Sequence, residues 1–141
     1  MSTATDEILE PLLQRAQTRS LAANQFLFQQ ADRQTSLFIL QSGLVELAMN
    51  VPGRGPVAIL CVGPGELIAW SAVLSKQPMT CSAKAIEDSI LLEIPADAIE
   101  TLASQNPSFA HAFFRWIALA LSERLTATRL QLLDLFDHPN A

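Results

Sequence analysis

The sequence predicts a mostly β domain, folded as a sandwich or barrel, with flanking helices and a long helix at its C-terminus. Between residues 21 and 94, brief apolar segments alternate with turn residues such as those at 52–56, a spacing typical of short strands. Asn106 and Pro107 then supply a helix start, and apolar periodicity continues to about Phe136, roughly 30 residues further on. Half of the 141 residues are hydrophobic and 16% are charged, so the chain can bury a core of its own.

The expected elements follow in chain order within a single domain. Thr5 can cap a first helix with two acidic residues in its first turn, and we expect this helix over about residues 5–20. The β body occupies residues 21–94, and a short helix followed by the long one occupies residues 95–136. The expected strands lie near residues 26–28, 37–40, 45–49, 57–62 and 90–94.

Charge and hydropathy argue against two classes of binding partner for this chain, DNA and membranes. Nine basic and fourteen acidic side chains give a net charge of -5, which opposes the counterion release that drives nonspecific DNA binding. The N-terminus has no basic segment followed by an apolar stretch, and no apolar run is long enough to span a bilayer. We therefore expect no direct DNA binding, no membrane insertion and a cytoplasmic location.

Residues of the types that bind metals or perform catalysis are few in this sequence, and they are scattered along it. Cys61 and Cys81 form no metal-type pair, and both are expected to be buried small hydrophobic residues. His111 and His138 are separated by about seven turns of the expected long helix. No carboxylate in a turn or at a strand end has an identifiable catalytic partner. We expect no metal site, no cofactor and no enzymatic activity.

Several segments match a known family in order and spacing. Residues 21–32, LAANQFLFQQAD, are similar to the pattern L-x-x-G-E-x-L-F-x-x-G-D, and residues 37–45, LFILQSGLV, to L-F-I-L-x-S-G-x-V. Residues 63–68, GPGELI, and 79–85, MTCSAKA, resemble the approach to a phosphate-binding cassette and the strand after it. On these segments, the chain resembles the cyclic-nucleotide-binding domain of catabolite-activator-type bacterial regulators. The resemblance covers about residues 8–136 and implies a double-stranded, jelly-roll-like β-roll.

The resemblance also implies where a ligand would bind, and the residues there depart from the family pattern. In the family, a cassette Glu accepts hydrogen bonds from the ribose and an Arg pairs with the cyclic phosphate. Here these positions are Trp70 and Met79 (or Pro78), so cyclic AMP should bind very weakly or not at all. The candidate ligand-binding residues of this degenerate cassette are Gly65, Glu66, Ile68, Ala69, Trp70, Ser71, Met79, Thr80, Ser82 and Lys84.

Two interpretations of the degenerate cassette stay open. A short helix beginning near Trp70 or Ser71 can present backbone N–H groups to an anion, and Thr80, Ser82 and Lys84 share one strand face. This residual set could hold a different polar ligand. Alternatively, these polar side chains are solvated on an outer strand face, and Trp70 fills the vacated pocket instead of stacking on a ligand.

The long helix carries an apolar stripe at steps of three or four residues. A helix of this length has more apolar surface than one small body can cover, although its first turns, around Phe109 and Phe113, should fold onto that body. In the resembled family the equivalent helix is the dimer seam, so we expect a homodimer. The expected stripe is Phe114, Ile117, Leu121, Leu125, Thr128, Leu132 and Leu135.

The leading functional hypothesis is a non-enzymatic regulatory module that senses an atypical small ligand or signals to a protein partner. Regulators of the resembled family usually continue into a winged helix-turn-helix, whereas this sequence stops at Ala141, which implies a standalone domain. The alternative is a ligand-free scaffold for dimerisation or protein interaction. The third hypothesis is that the chain is a genuine cyclic AMP-binding domain.

Overall fold

The β body consists of two four-stranded antiparallel sheets. The computed structural model describes residues 10–137, with side chains described up to residue 134. The strands are β1 Gln17–Leu21, β2 Phe26–Phe28, β3 Ser36–Ser42, β4 Val45–Val51, β5 Gly55–Val62, β6 Leu67–Ile68, β7 Ser82–Ala85 and β8 Ser89–Pro95. The helices are α1 at residues 10–13, α2 Ser71–Leu74, α3 Ala96–Gln105 and α4 Pro107–Asp137.

The first sheet has the strand order β1-β8-β3-β6 and the second has the order β2-β7-β4-β5. In β3, Phe38 and Leu40 enter a core between the two sheets, and Leu37 and Ile39 enter a core between the first sheet and the helices. This alternation explains why residues 37–40 of β3 are all buried, on both faces of the sheet. We call these two clusters the inter-sheet core and the helical core.

The predicted β-roll with a long C-terminal helix is confirmed, but its N-terminal boundary was placed wrongly. Of the helix expected over residues 5–20, residues 5–9 lie outside the described part of the chain, and α1 ends at residue 13. Residues 17–21 form β1, which pairs antiparallel with β8, and Arg19 forms an ion pair with Glu93 at 3.3 Å. Because the first four residues of β1 are polar, the apolar pattern did not reveal this strand.

The long helix begins where the sequence predicted. The Asn106 side-chain oxygen accepts a hydrogen bond from the Phe109 N–H at 3.1 Å, which caps α4. Phe109, Phe113 and Ile117 are buried in the helical core, so the first turns lie on the body. No helix within residues 10–137 is apolar over enough of its length to cross a membrane.

The predicted apolar stripe of α4 consists of two parts, one packed against the β body and one exposed beyond it. Ile117 is only 2% exposed and packs in its own helical core, so its assignment to an intermolecular stripe was wrong. Leu121 is half-buried against the same core. The stripe residues that remain exposed are Phe114, Leu125, Thr128 and Leu132, while the Leu135 side chain lies outside the described part.

The turn between β3 and β4 depends on a glycine. Gly43 has a φ of +100°, and a Cβ there would lie 2.2 Å from Ser89 Oγ and 2.7 Å from the Asp88 carbonyl oxygen. Gly53 also has a positive φ, +82°, but a Cβ there meets nothing within 4 Å. The close approach to β8 therefore distinguishes the two positions.

We predict that Gly43→Ala lowers the free energy of unfolding by about 2 kcal/mol or more, because backbone strain adds to a steric clash. The control Gly53→Ala should cost only about 1 kcal/mol, because it introduces the strain without the clash. Urea denaturation measures both. Equal losses for the two variants would contradict the proposed role of the Gly43 contact.

Candidate functional site

The side chains predicted at the two substituted cassette positions lie in different surroundings, and Pro78, the alternative to Met79, is half-buried. Met79 is 4% exposed and packs in the inter-sheet core together with Ile68 and Ala69. Trp70 is half-buried against the helical core. The Ser71 hydroxyl donates a weak hydrogen bond to Met79 Sδ at 3.6 Å and so connects the two sides. A thioether thus occupies the inner side of the cassette, where it serves as core packing.

The cassette backbone turns sharply at a residue other than glycine. Ala69 has a φ of +68°, a left-handed conformation that costs an alanine about 1 kcal/mol. The four-residue helix α2 follows, and its Ala72 and Val73 N–H groups donate to the carbonyls of Ala69 and Trp70 at 3.1 and 3.0 Å. These two N–H groups are used within the turn, so α2 offers fewer donors to an anion than the sequence suggested.

Ser82 and Lys84 lie away from the cassette. Ala83 and Ala85 point into the inter-sheet core, which puts Ser82 and Lys84 on the outer face of the second sheet. The Ser82 hydroxyl donates to the Ala48 carbonyl at 3.2 Å, and the Lys84 ammonium lies 5.7 Å from the centre of the Phe26 ring. Both residues line a shallow depression of about 270 Å³, and Thr80 is exposed ahead of β7. Ser82 and Lys84 therefore face away from the core in which Met79 packs, whereas Thr80 directly follows Met79 in the chain.

Arg124 reaches from α4 onto the cassette. Its guanidinium carbon lies 4.5 Å from the centre of the Trp70 ring, a cation–π contact. Its Nη2 donates to the Leu67 carbonyl, whereas Nη1 is buried without a hydrogen-bond partner among the described residues. Burial lowers the pKa of Arg124, and the nearby Glu66 and Cys81 oppose this shift. The Arg124 side chain thus connects α4 to the cassette, and its buried Nη1 donor has no acceptor among the described residues.

Sequence reasoning missed Arg124, although a signal was present. Phe113, Ile117, Ala120 and Arg124 follow one another at steps of four, three and four residues, so they share one helix face. The first three pack in or against the helical core. A single charged residue on an otherwise buried apolar stripe indicates a specific contact.

Beside Arg124, a cleft of about 400 Å³ separates α4 from β5 and β6. Gly65 and Glu66, both candidate ligand-binding residues, line it. The Glu66 carboxylate folds back and accepts a hydrogen bond from the Gly63 N–H at 2.9 Å, while the Gly65 N–H donates to the Leu40 carbonyl at 2.7 Å. Two members of the predicted set therefore belong to this cleft.

The cysteines differ from each other in environment. Cys81 is half-buried, and burial raises the pKa of its thiol, with Arg124 opposing the shift. The expectation that Cys61 is buried was wrong, because it lies exposed on the edge strand β5 opposite Glu46. Among the side chains that the structure describes, no three His, Cys, Asp or Glu residues cluster as a metal site would require.

Comparisons with known proteins agree with this architecture. A family model described as cyclic nucleotide-binding domain matches residues 18–106. Neuropathy target esterase sws of Drosophila ananassae is 29% identical over 127 residues, which are 85% of this chain and 8% of that protein. The Thermus thermophilus catabolite activator protein is 28% identical with a TM-score of 0.73, covering 92% of this chain and 60% of that one. A cyclic nucleotide-binding domain from Methylobacillus flagellatus, 19% identical over 92% of this chain and 72% of its own, has the same fold with a TM-score of 0.85. The family resemblance seen in the sequence is confirmed.

We predict that Met79→Ala lowers the free energy of unfolding by about 2–5 kcal/mol, since it leaves a cavity in the inter-sheet core. The matched control is Met49→Ala in β4, where the side chain is 38% exposed and the cost should stay below about 1 kcal/mol. Urea denaturation followed by circular dichroism measures both. Similar small losses for the two variants would show that Met79 does not fill the core.

Proposed function

The chain belongs to the cyclic nucleotide-binding domain family, and on that basis we propose that it is a non-enzymatic regulatory module whose cassette is closed. In this proposal the module does not respond to cyclic nucleotides. It signals to a partner through contacts made by α4. One observation supports the proposal: Met79, which we align with the phosphate cation (Pro78 being the alternative), is buried, while Trp70, which we align with the ribose acceptor, lies under Arg124.

The closed cassette lacks what a cyclic phosphate needs. An anion of this kind is held by charge-assisted hydrogen bonds, and a buried thioether supplies neither charge nor a donor. Moving Met79 aside would remove its side chain from the inter-sheet core, at a cost of about 2–5 kcal/mol. Trp70 cannot accept a hydrogen bond from a ribose hydroxyl, because the indole N–H only donates. Both changes act against nucleotide binding.

The regulatory role is supported by the relatives. The Thermus thermophilus relative bears the name catabolite activator protein, and the region similar to the esterase is only 8% of that protein. We extend the regulatory role, and not the esterase activity, to this chain. Direct contact with DNA is not part of the proposal, because the net charge of -5 opposes it.

The second part of the proposal is a homodimer formed through the distal half of α4. Phe114, Leu125 and Leu132 are 38%, 52% and 51% exposed and lie on one side of the helix. Apolar side chains aligned in this way on a soluble domain mark an interaction surface. A ligand-free dimerisation scaffold is the second candidate function, and the filling of the cassette by Met79 and Trp70 favours it over genuine cyclic AMP binding.

We predict that calorimetry detects no binding of cyclic AMP in the low-micromolar range. The double variant Trp70→Glu with Met79→Arg should gain affinity, because it restores a ribose acceptor and a phosphate cation. The control pair Trp70→Glu with Met79→Leu keeps the core apolar and should gain nothing. Low-micromolar binding by the unmodified chain would overturn the closed-cassette proposal. A restored pair that gains no affinity over its control would contradict the cassette alignment.

We also predict that Leu125→Asp with Leu132→Asp converts the dimer to monomers, since the seam would bury unpaired carboxylates at a cost of several kcal/mol. The control is Leu130→Asp. This leucine is 58% exposed but lies about 140–160° around α4 from the two seam positions. Sedimentation equilibrium at tens of micromolar distinguishes the two species. An unmodified chain that is already monomeric at this concentration would exclude the proposed seam.

A further inference from the structure

The cleft beside Arg124 has walls of two chemical kinds. Its volume of about 400 Å³ lies in the range of small-molecule sites, about 300–1,000 Å³. The apolar wall comes from Trp116, Leu119 and Ala120 on α4 and from Leu60 on β5. Its charged groups are Glu66, Glu123 and Arg124.

Arg124 contributes a positive charge to this cleft, and Glu66 is near enough to act on it electrostatically without forming an ion pair. Among the described residues it forms no ion pair, and its Nη1 has no hydrogen-bond acceptor. The Glu66 carboxylate, which lines the same cleft, is instead bonded to the Gly63 N–H. A half-buried cation with an unused donor is costly unless an anionic acceptor reaches it. Nη1 is itself closed off from solvent, so a carboxylate in the cleft would use it only once the Arg124 side chain turns.

The carboxylates of the cleft restrict the ligand further. Glu66 and Glu123 are exposed and would repel a purely anionic ligand, whereas a cationic amine would pair with them. Trp116 and Leu119 offer apolar surface to a hydrocarbon or aromatic group. One anionic group, one amine and an apolar body together describe a zwitterion such as an α-amino acid with an apolar side chain.

We propose that this cleft binds a small zwitterion of that class, with its carboxylate on Arg124, its ammonium group toward Glu66 and Glu123, and its apolar side chain against Trp116 and Leu119. Since Nη1 is sealed from solvent, capturing the carboxylate turns the Arg124 side chain away from Trp70 and the Leu67 carbonyl and toward the cleft. Binding thus loosens the contact between α4 and the cassette. The cleft shares Gly65 and Glu66 with the candidate cassette residues but is not lined by Trp70 or Met79, so failure of either proposal leaves the other standing.

L-phenylalanine is the probe, with N-acetyl-L-phenylalanine lacking the ammonium group and L-phenylalaninamide lacking the carboxylate. We expect calorimetry to show saturable, millimolar or tighter binding of L-phenylalanine, and at least about tenfold weaker binding of either analogue. In protein labelled with 5-fluorotryptophan, the fluorine resonances of both Trp70 and Trp116 should shift. Trp116→Phe assigns the two resonances, since the chain has two tryptophans.

The variants locate the site. Arg124→Gln should weaken binding by at least about tenfold, whereas the control Arg129→Gln, at an exposed position outside the cleft, should leave it unchanged. Leu119→Trp fills the cleft from an exposed position and should abolish binding, which keeps the test valid if Arg124→Gln does not fold. Absence of saturable binding to the unmodified chain would overturn the proposal, as would binding unaffected by Arg124→Gln or Leu119→Trp. N-acetyl-L-phenylalanine binding as tightly as L-phenylalanine would overturn the zwitterion assignment.

Discussion

The stacking of the Arg124 guanidinium on Trp70 is the contact on which the proposed behaviour of this domain depends. It joins α4, the long helix, to the segment that follows β6, and the Leu67 carbonyl holds the same guanidinium by a hydrogen bond. A cation–π contact that is partly shielded from water contributes about 0.5–2 kcal/mol. Because a single side chain makes both contacts, any movement of α4 at Arg124 must alter the surroundings of Trp70.

The inner strands β3 and β6 of the first sheet make this arrangement possible, because their apolar residues are buried on both faces. Within the cassette, Ile68 packs in the inter-sheet core and Leu67 in the helical core. Met79 then completes one core while Trp70 packs against the other. In the function that we propose, this apolar packing takes the place of the polar contacts that a cyclic nucleotide would need, so that closure of the cassette follows from core formation without a ligand.

Most of the fold could be predicted because its signals are local. The apolar strands β3, β4 and β8 and the Asn106 cap each have a pattern readable within a few residues. The strand β1 could not be found, since its polar residues form a strand only by pairing with β8 far along the chain. The edge-strand exposure of Cys61 likewise depends on sheet order. In the site, the sequence predicts Trp70 and Met79 (or Pro78) as the altered positions, and only the tertiary structure shows that Arg124 stacks on Trp70.

A double-mutant cycle between Arg124 and Trp70 tests the central claim most directly. Arg124→Met and Trp70→Leu are made singly and together, and urea denaturation gives the free energy of unfolding of each protein. The account predicts a favourable coupling energy of about 0.5–2 kcal/mol between the two side chains. Additive effects, with no coupling beyond experimental error, would contradict the claim that this contact fastens α4 to the cassette.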